Sequence, residues 1–285
     1  MLRPLEFALL VARPTIALLT DFGTRGIYAG VLKGVLSTHA PQASLIDISH
    51  DVPRGDIQAA AFMLWQSSPY MPSNTVFLCV VDPGVGSARR GVAAKWGSQI
   101  CVGPDNGLFS YLVFRDGAPE VIELWDPQVS TTFHGRDIFA PFAARLALDA
   151  VFDELGPPVE LEKMLPAPRL AAKRSGSIEG EIIYEDPFGN MVTSIGVLHP
   201  EGGHIRLDPW LGQEPESQYP ARNLAARLPN GDELPLVRTF NDVQEGQGLA
   251  YIGSNGLLEI GVNRGSAASV LELQTGQAIQ LLNKE

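Results

Sequence analysis

Cysteine, clustered positive charge and long apolar runs are all scarce in this chain, and each shortage removes a class of protein. Only two cysteines occur in 285 residues, Cys79 in TVFLCVV and Cys101 in SQICVG. Each lies in an apolar, strand-like run, so a disulfide framework or a cysteine metal site has nothing to draw on. The pair reads as buried thiols in a reducing, cytoplasmic compartment. Lys and Arg number 21 against 32 Asp and Glu, a formal charge of −11, with a pI near 4.9. That balance disfavours a nucleic-acid partner, because binding the phosphate backbone needs clustered cations. No segment reaches the ~20 consecutive apolar residues of a membrane span, so no membrane partner is expected. The N-terminal MLRPLEFALLVARP is interrupted by Glu6 and followed by no small-residue cleavage pattern. It reads as a short extension, with a signal peptide as the alternative. Internal repeats and low-complexity tracts are also missing.

What remains is ordinary globular composition, 45% hydrophobic and 19% charged, in a chain long enough to bury a sizeable core. The first half alternates β-rich runs (TIALLT, SLIDIS, TVFLCVV, GVAAKW, QICVG) with helical ones. Residues 27–39 place Val31, Leu32, Val35 and Leu36 on one face, and 57–66 form an alanine-rich apolar helix. Such alternation predicts an α/β unit, a mostly parallel sheet flanked by helices on both sides, with ligands beyond the carboxyl ends of its strands. From Gly156 to Ser177 prolines, glycines and charges crowd together. Beyond them come GEIIYE, MVTSIG, GGHIRL, ELPLVRTF and GLLEIGV, β-rich runs without helical period. These predict a small C-terminal β-barrel or sandwich domain. The expected organisation is an α/β domain over 13–165, a linker over 166–177 and a β domain over 178–285.

Three polar clusters follow apolar strands in the first half. IALLTDFGTRG contains Asp21-Phe22-Gly23, the tripeptide that holds magnesium in protein kinases. A kinase needs its glycine-rich loop, strand lysine and catalytic-loop aspartate upstream, and Asp21 lies too near the N-terminus for that. The second cluster is DPGVGSARR, Asp82 to Arg90, whose glycines and proline make a tight turn. It is no phosphate loop, since no Gly-Lys-Ser/Thr ends it, and no dinucleotide fingerprint. The third is FHGRDIFAP, Phe133 to Pro141. Each has a plain reading beside a chemical one. Asp82 suits a turn cap, and Arg89 and Arg90 a solvated pair; His134 suits the core or a cap, and Asp137 the cap of a helix starting at Ile138.

Seven segments, LLTDFGT, ISHDVP, VVDPGVGSARR, VGPDNGLFS, TFHGRDIFAP, DPFGNMVTSI and GSNGLLEIGVNRGSA, occur in an order that resembles the S-adenosylmethionine (SAM) hydroxide adenosyltransferases. These relatives of fluorinases and chlorinases cleave SAM with water to adenosine and methionine. The likeness runs from about Thr15 to Ala268. It implies a homotrimer with sites between neighbouring subunits, and no cofactor or metal, SAM being the substrate. Residue by residue, the family's catalytic Asp, Arg and His fall on Asp82, Arg89 and His134. Asp21 falls on the aspartate that accepts hydrogen bonds from both ribose hydroxyls. Asp186, Phe188 and Asn190, with Ser254 and Asn255, match segments that meet adenine and the methionine part. Glu185 and Asp186 can each supply the carboxylate for the methionine amine. Val262 and Arg264 belong to a turn, Val262 to Gly265, implied to contact adenine through its backbone.

The residue types suit that chemistry. A sulfonium releases methionine as a neutral thioether, so its leaving group needs no acid; the reaction needs an in-line nucleophile close to C5′. Water, with a pKa of about 15.7, is a poor one. A carboxylate, a guanidinium and an imidazole around one water favour hydroxide character. The resemblance also implies water over halide, because halogenases carry a tyrosine where Asp82 stands. Gly135 leaves the halide pocket open to either reading. Gly55, in DVPRGDIQ, stands where relatives usually carry an aromatic ring. A SAM or adenosine sensor without turnover and a trimer with a vestigial site are the readings from other classes.

Overall fold

The computed structural model describes residues 13–125, 132–173, 176–211, 217–220 and 223–283; the N-terminal extension read from the sequence lies outside them. The chain forms two compact units, one holding residues up to Ser110 with Ala118–Met164, the other Tyr111–Gly117 with Leu165 onward.

The first unit is built on strands β1 (Thr15–Thr20), β2 (Ser44–Ser49), β3 (Thr75–Val80), β4 (Gly91–Trp96), β5 (Gln99–Pro104) and β6 (Glu120–Leu124). They lie in the order β2-β1-β3-β5-β4-β6. β2, β1, β3 and β5 run parallel, and β4 is antiparallel to both neighbours. TIALLT and TVFLCV are buried at every position, as strands covered on both faces must be. β4 turns into β5 through Gly97 and Ser98, with Gly97 at φ +57° as a two-residue hairpin demands.

The helices are α1 (Tyr28–His39), α2 (Ile57–Ser67), α3 (Ser110–Asp116), α4 (Ala140–Ala147) and α5 (Ala267–Val270). Leu32 and Leu36 of α1 and Phe142 and Ala143 of α4 share a core with Ile16, Leu18, Val76 and Leu78. α2 packs on β1 and β2 outside that cluster, its N-terminus capped by Asp56, which accepts from the Ala59 N–H. Cys79 and Cys101 are free and buried, and burial pushes the Cys79 thiol well above its ordinary range.

The second unit is antiparallel. Its strands are β7 (Leu170–Ala172), β8 (Ile178–Glu185), β9 (Met191–Thr193), β10 (Leu198–Glu201), β11 (His204–Leu207), β12 (Ser217–Pro220), β13 (Leu224–Arg227), β14 (Glu233–Pro235), β15 (Gly248–Ile252), β16 (Leu258–Val262) and β17 (Ala278–Asn283). The main sheet runs β14-β13-β17-β8-β9-β16-β15. Beyond β14, the Val237 N–H donates to the Ala250 carbonyl of β15, which bends this sheet toward a closed barrel and protects its edges. Ile182, Met191, Ile260, Ile279 and Leu281 fill the interior. The expected strand ELPLVRTF stops at Pro235, and its tail forms a short 3₁₀ turn, Phe240–Asp242, closed by a Thr239–Asp242 capping box. The segment expected to be all linker contributes β7, which pairs with β8.

Candidate active site

Asp21 follows β1 directly and Asp82 lies two residues beyond β3, so adjacent parallel strands deliver both carboxylates to one end of the sheet. The Gly55 N–H donates to Asp21 Oδ2 at 2.9 Å. Gly55 has φ +72°, and a Cβ there would lie 3.6 Å from the Pro83 Cβ. A left-handed backbone is what lets residue 55 turn its N–H toward Asp21. This gives the departure at position 55 a local reason.

The turn after β3 is closed by Val85 N–H to the Asp82 carbonyl and Ser87 N–H to the Gly84 carbonyl. It folds Arg89 back onto Asp82. Arg89 Nε donates to both carboxylate oxygens at 3.0 Å, and its Nη2 donates to Oδ2 as well. The same Nη2 reaches His134 Nδ1 at 2.9 Å, and the guanidinium carbon stands 5.2 Å from the centre of the buried Phe139 ring. Side-chain exposure is only 5% for Asp82 and 10% for Arg89. Arginine can only donate, so Nδ1 must accept and the histidine proton sits on Nε2. Burial first, and then the Arg89 charge, hold the His134 pKa below its ordinary value, with Asp82 and Asp137 opposing. Burial and the Arg89 contact both favour the neutral ring.

Three plain readings from the sequence are corrected. Arg89 and Arg90 are not a solvated pair: Arg90 donates to Asp105 Oδ2 at 2.8 Å and to the Glu160 carbonyl at 2.7 Å, braces within the same unit. His134 caps nothing with its side chain; it precedes a π-helical turn, Gly135–Phe139, that runs into α4. Asp137 lies inside that turn and pairs with Arg136 at 2.5 Å instead of capping a helix at Ile138. Gly135 is tightly enclosed. A Cβ there would meet Phe22 at 3.3 Å, Phe133 at 3.4 Å and Val80 at 3.5 Å.

Asp21 and Asp82 open onto a cleft of about 1040 Å³ whose other walls include Phe22, Tyr28, Arg54 and Phe133. The rings of Phe22, Tyr28 and Phe133 meet edge-on or tilted at 5.5–6.1 Å. Tyr28 and Arg54 escaped the sequence reading; a tyrosine at the start of the helical run 27–39 and an arginine beside Gly55 were the available signals.

In the second unit, Phe188, Asn190, Val262 and Arg264 line one pocket of about 500 Å³ with Phe240, Asn263 and Gly265. Asp186 shapes it from beneath. Its Oδ1 accepts the Phe188 and Asn190 N–H groups and its Oδ2 the Asn190 side-chain amide, all at 2.8 Å. Glu185 is exposed. Ser254 and Asn255 sit at the β15–β16 loop, on the far side of β16 from Val262, about 14 Å at the usual strand rise. The structure does not bring them into this pocket. Phe240, missed in the sequence, packs tilted against Tyr251 with ring centres 5.0 Å apart, and the Tyr251 hydroxyl donates to Glu259 at 2.5 Å. Burial holds the Glu259 carboxyl above its ordinary range.

A buried carboxylate–guanidinium–imidazole set beside an aromatic-walled cleft, at the carboxyl ends of parallel strands, is the equipment of an enzyme for a small molecule. The chain belongs to the SAM hydroxide adenosyltransferases: that family's N-terminal domain profile matches residues 16–156 and its C-terminal domain profile residues 180–280. An (R)-S-adenosyl-L-methionine hydrolase of Thermus thermophilus is 39% identical over 276 residues, covering 93% of this chain and 98% of the relative. A fluorinase of Actinopolyspora mzabensis is more distant, 25% identical over 303 residues, covering 95% of this chain and 97% of the relative. An uncharacterized conserved protein from Thermotoga maritima superposes with a TM-score of 0.79 at 31% identity, covering 94% of this chain and all of that one. Among the described residues no helix is long and apolar enough to cross a membrane.

Proposed function

We propose that this protein is a SAM hydrolase that forms adenosine and L-methionine. A water oxygen attacks ribose C5′ in line with the C5′–S bond; as the C–O bond forms, the C5′–S electron pair returns to sulfur and methionine leaves as a thioether. The water proton passes to the Asp82 carboxylate and on to solvent. Arg89 holds Asp82 and steadies the developing hydroxide, and His134, with its proton on Nε2, donates a hydrogen bond. Asp21 accepts hydrogen bonds from the ribose hydroxyls. Phe188, Asn190 and the turn of Val262 and Arg264 meet the adenine and methionine parts, with Ser254 and Asn255 contributing from the other end of β16. Asp186 acts by holding Phe188 and Asn190, and Gly135 borders the reaction centre. No metal or cofactor takes part. The protein works in the cytoplasm as a homotrimer with sites between neighbouring subunits.

The observation that carries this reading is the contact chain from Asp82 through Arg89 to His134, which ligand binding alone would not require. The test is incubation with SAM, with and without chloride, and chromatography of the products. Wild type should give adenosine and methionine irrespective of chloride, and Asp82→Ala should lose about 10²–10⁴-fold in rate, as expected on removing a positioned base. Release of 5′-chloroadenosine would make it a halogenase. Intact SAM that calorimetry shows to be bound would make it a sensor.

A further inference from the structure

His50 follows β2 in the segment ISHDVP, and the proposed chemistry makes no use of it. It is 5% exposed, beside Thr20 at 0%. Its Nδ1 stands 2.8 Å from Thr20 Oγ1 and its Nε2 3.2 Å from Asp47 Oδ1, while Asp47 Oδ2 takes Lys33 Nζ at 2.6 Å. The proton positions follow from the neighbours. The Asp47 carboxylate can only accept, so the proton of the neutral ring sits on Nε2 and faces it; Nδ1 then accepts from the Thr20 hydroxyl, whose oxygen also takes the Phe22 N–H at 3.3 Å.

The backbone repeats the same connection. The His50 carbonyl accepts the Gly23 N–H at 2.7 Å, the Thr20 carbonyl accepts the Val52 N–H at 3.3 Å, and Asp51 Oδ1 accepts the Thr24 N–H at 3.1 Å. Asp21 and Phe22 thus line the cleft while residues on both sides of them are tied to the end of β2. One of the Asp21 oxygens is held by Gly55, and among the described residues the other has no protein partner.

We infer that His50 is a positioning residue: through Thr20 it fixes the loop that aims the free oxygen of Asp21 at its ligand. The inference rests on the reading of Asp21 as the acceptor of ribose hydroxyls. A residue acting through Asp21 must alter recognition of those hydroxyls selectively, whereas a histidine that only fills the core would weaken all ligands alike.

The test compares calorimetric affinities of the full-length protein for adenosine and 2′,3′-dideoxyadenosine, neither of which turns over. Wild type should favour adenosine about tenfold or more, the worth of hydrogen bonds to a carboxylate. His50→Asn keeps an acceptor near the Nδ1 position and should retain the preference. His50→Gln, which reaches Asp47 but withdraws the acceptor from Thr20, should bring the two affinities within about threefold. Equal losses for both ligands in the Gln variant, or an unchanged preference, would overturn the inference. Asp21→Asn separates the premises: if it leaves the preference intact, the ribose reading fails and the inference with it; if it abolishes the preference while His50→Gln does not, only the role of His50 falls.

Discussion

Arg89 reaches back seven residues to Asp82 and across the sheet to His134, and this double contact decides the charge state of the site. Burial disfavours a charged His134, and protonation would also set an imidazolium against the Arg89 guanidinium, so its folded pKa lies below the ordinary 6.5. The sign then follows. As pH falls through 6.5 the unfolded chain takes up this proton first, so the contribution of the contact to stability is present above that pH and declines below it. Activity should follow the folded pKa, with the acid limb of kcat/KM centred below 6.5 and absent in His134→Asn. A limb of the same residue centred above 6.5 would contradict the arrangement. Replacing Arg89 should cost stability too, because it leaves the Asp82 carboxylate buried and unpaired, at about 3–5 kcal/mol for such pairs.

Strand packing places these residues, and β5 shows how little slack it has. Gly103 lies against β3 so closely that a Cβ would stand 2.2 Å from the Cys79 carbonyl oxygen and 3.3 Å from the Phe109 ring. Gly103→Ala should destabilise by about 1–3 kcal/mol, the usual cost of overpacking, read as a lower denaturant midpoint with an unchanged slope. A midpoint equal to wild type would mean that β3 and β5 can separate at no cost, which their paired and buried register argues against. Part of the element set was legible in advance. SLIDIS and GVAAKW are β2 and β4 to the residue, since runs bounded by turn residues leave few choices of end. The exceptions have local causes: Pro235 ends β14, and a few apolar residues inside a proline-rich stretch were enough to make β7.

At the scale of the whole molecule, the second unit leaves Phe188 82% exposed at the edge of a pocket walled by Phe240, Val262 and Arg264. An exposed large aromatic at a pocket rim suits a surface that another chain or a ligand covers. The proposed trimer predicts a sedimenting mass three times the 30.7 kDa of one chain, maintained on dilution through the concentrations used for assay. A species of 30.7 kDa with full activity would remove the interface reading while leaving the chemistry in place.

The sequence by itself determined the two-part architecture, the strand ends on which Asp21 and Asp82 stand, and the family, because hydrophobic period and ordered motifs are local properties that one chain displays in full. Residue type and spacing did not tell Arg89 from Arg90, which only the family resemblance separated in advance. Both follow the same turn, and only the packed sheet sends one guanidinium to Asp82 and the other to Asp105. Nor could the sequence separate Asp186, committed to the hydrogen bonds of its own turn, from Phe188 and Asn190, which line the pocket. The tautomer of His134, the service of Gly55 to Asp21 and the place of Phe240 were likewise decided by tertiary structure. Each depends on which groups from distant stretches of chain meet within about 3–5 Å, and a hydrogen bond or ring contact has no existence until the backbone has set that distance.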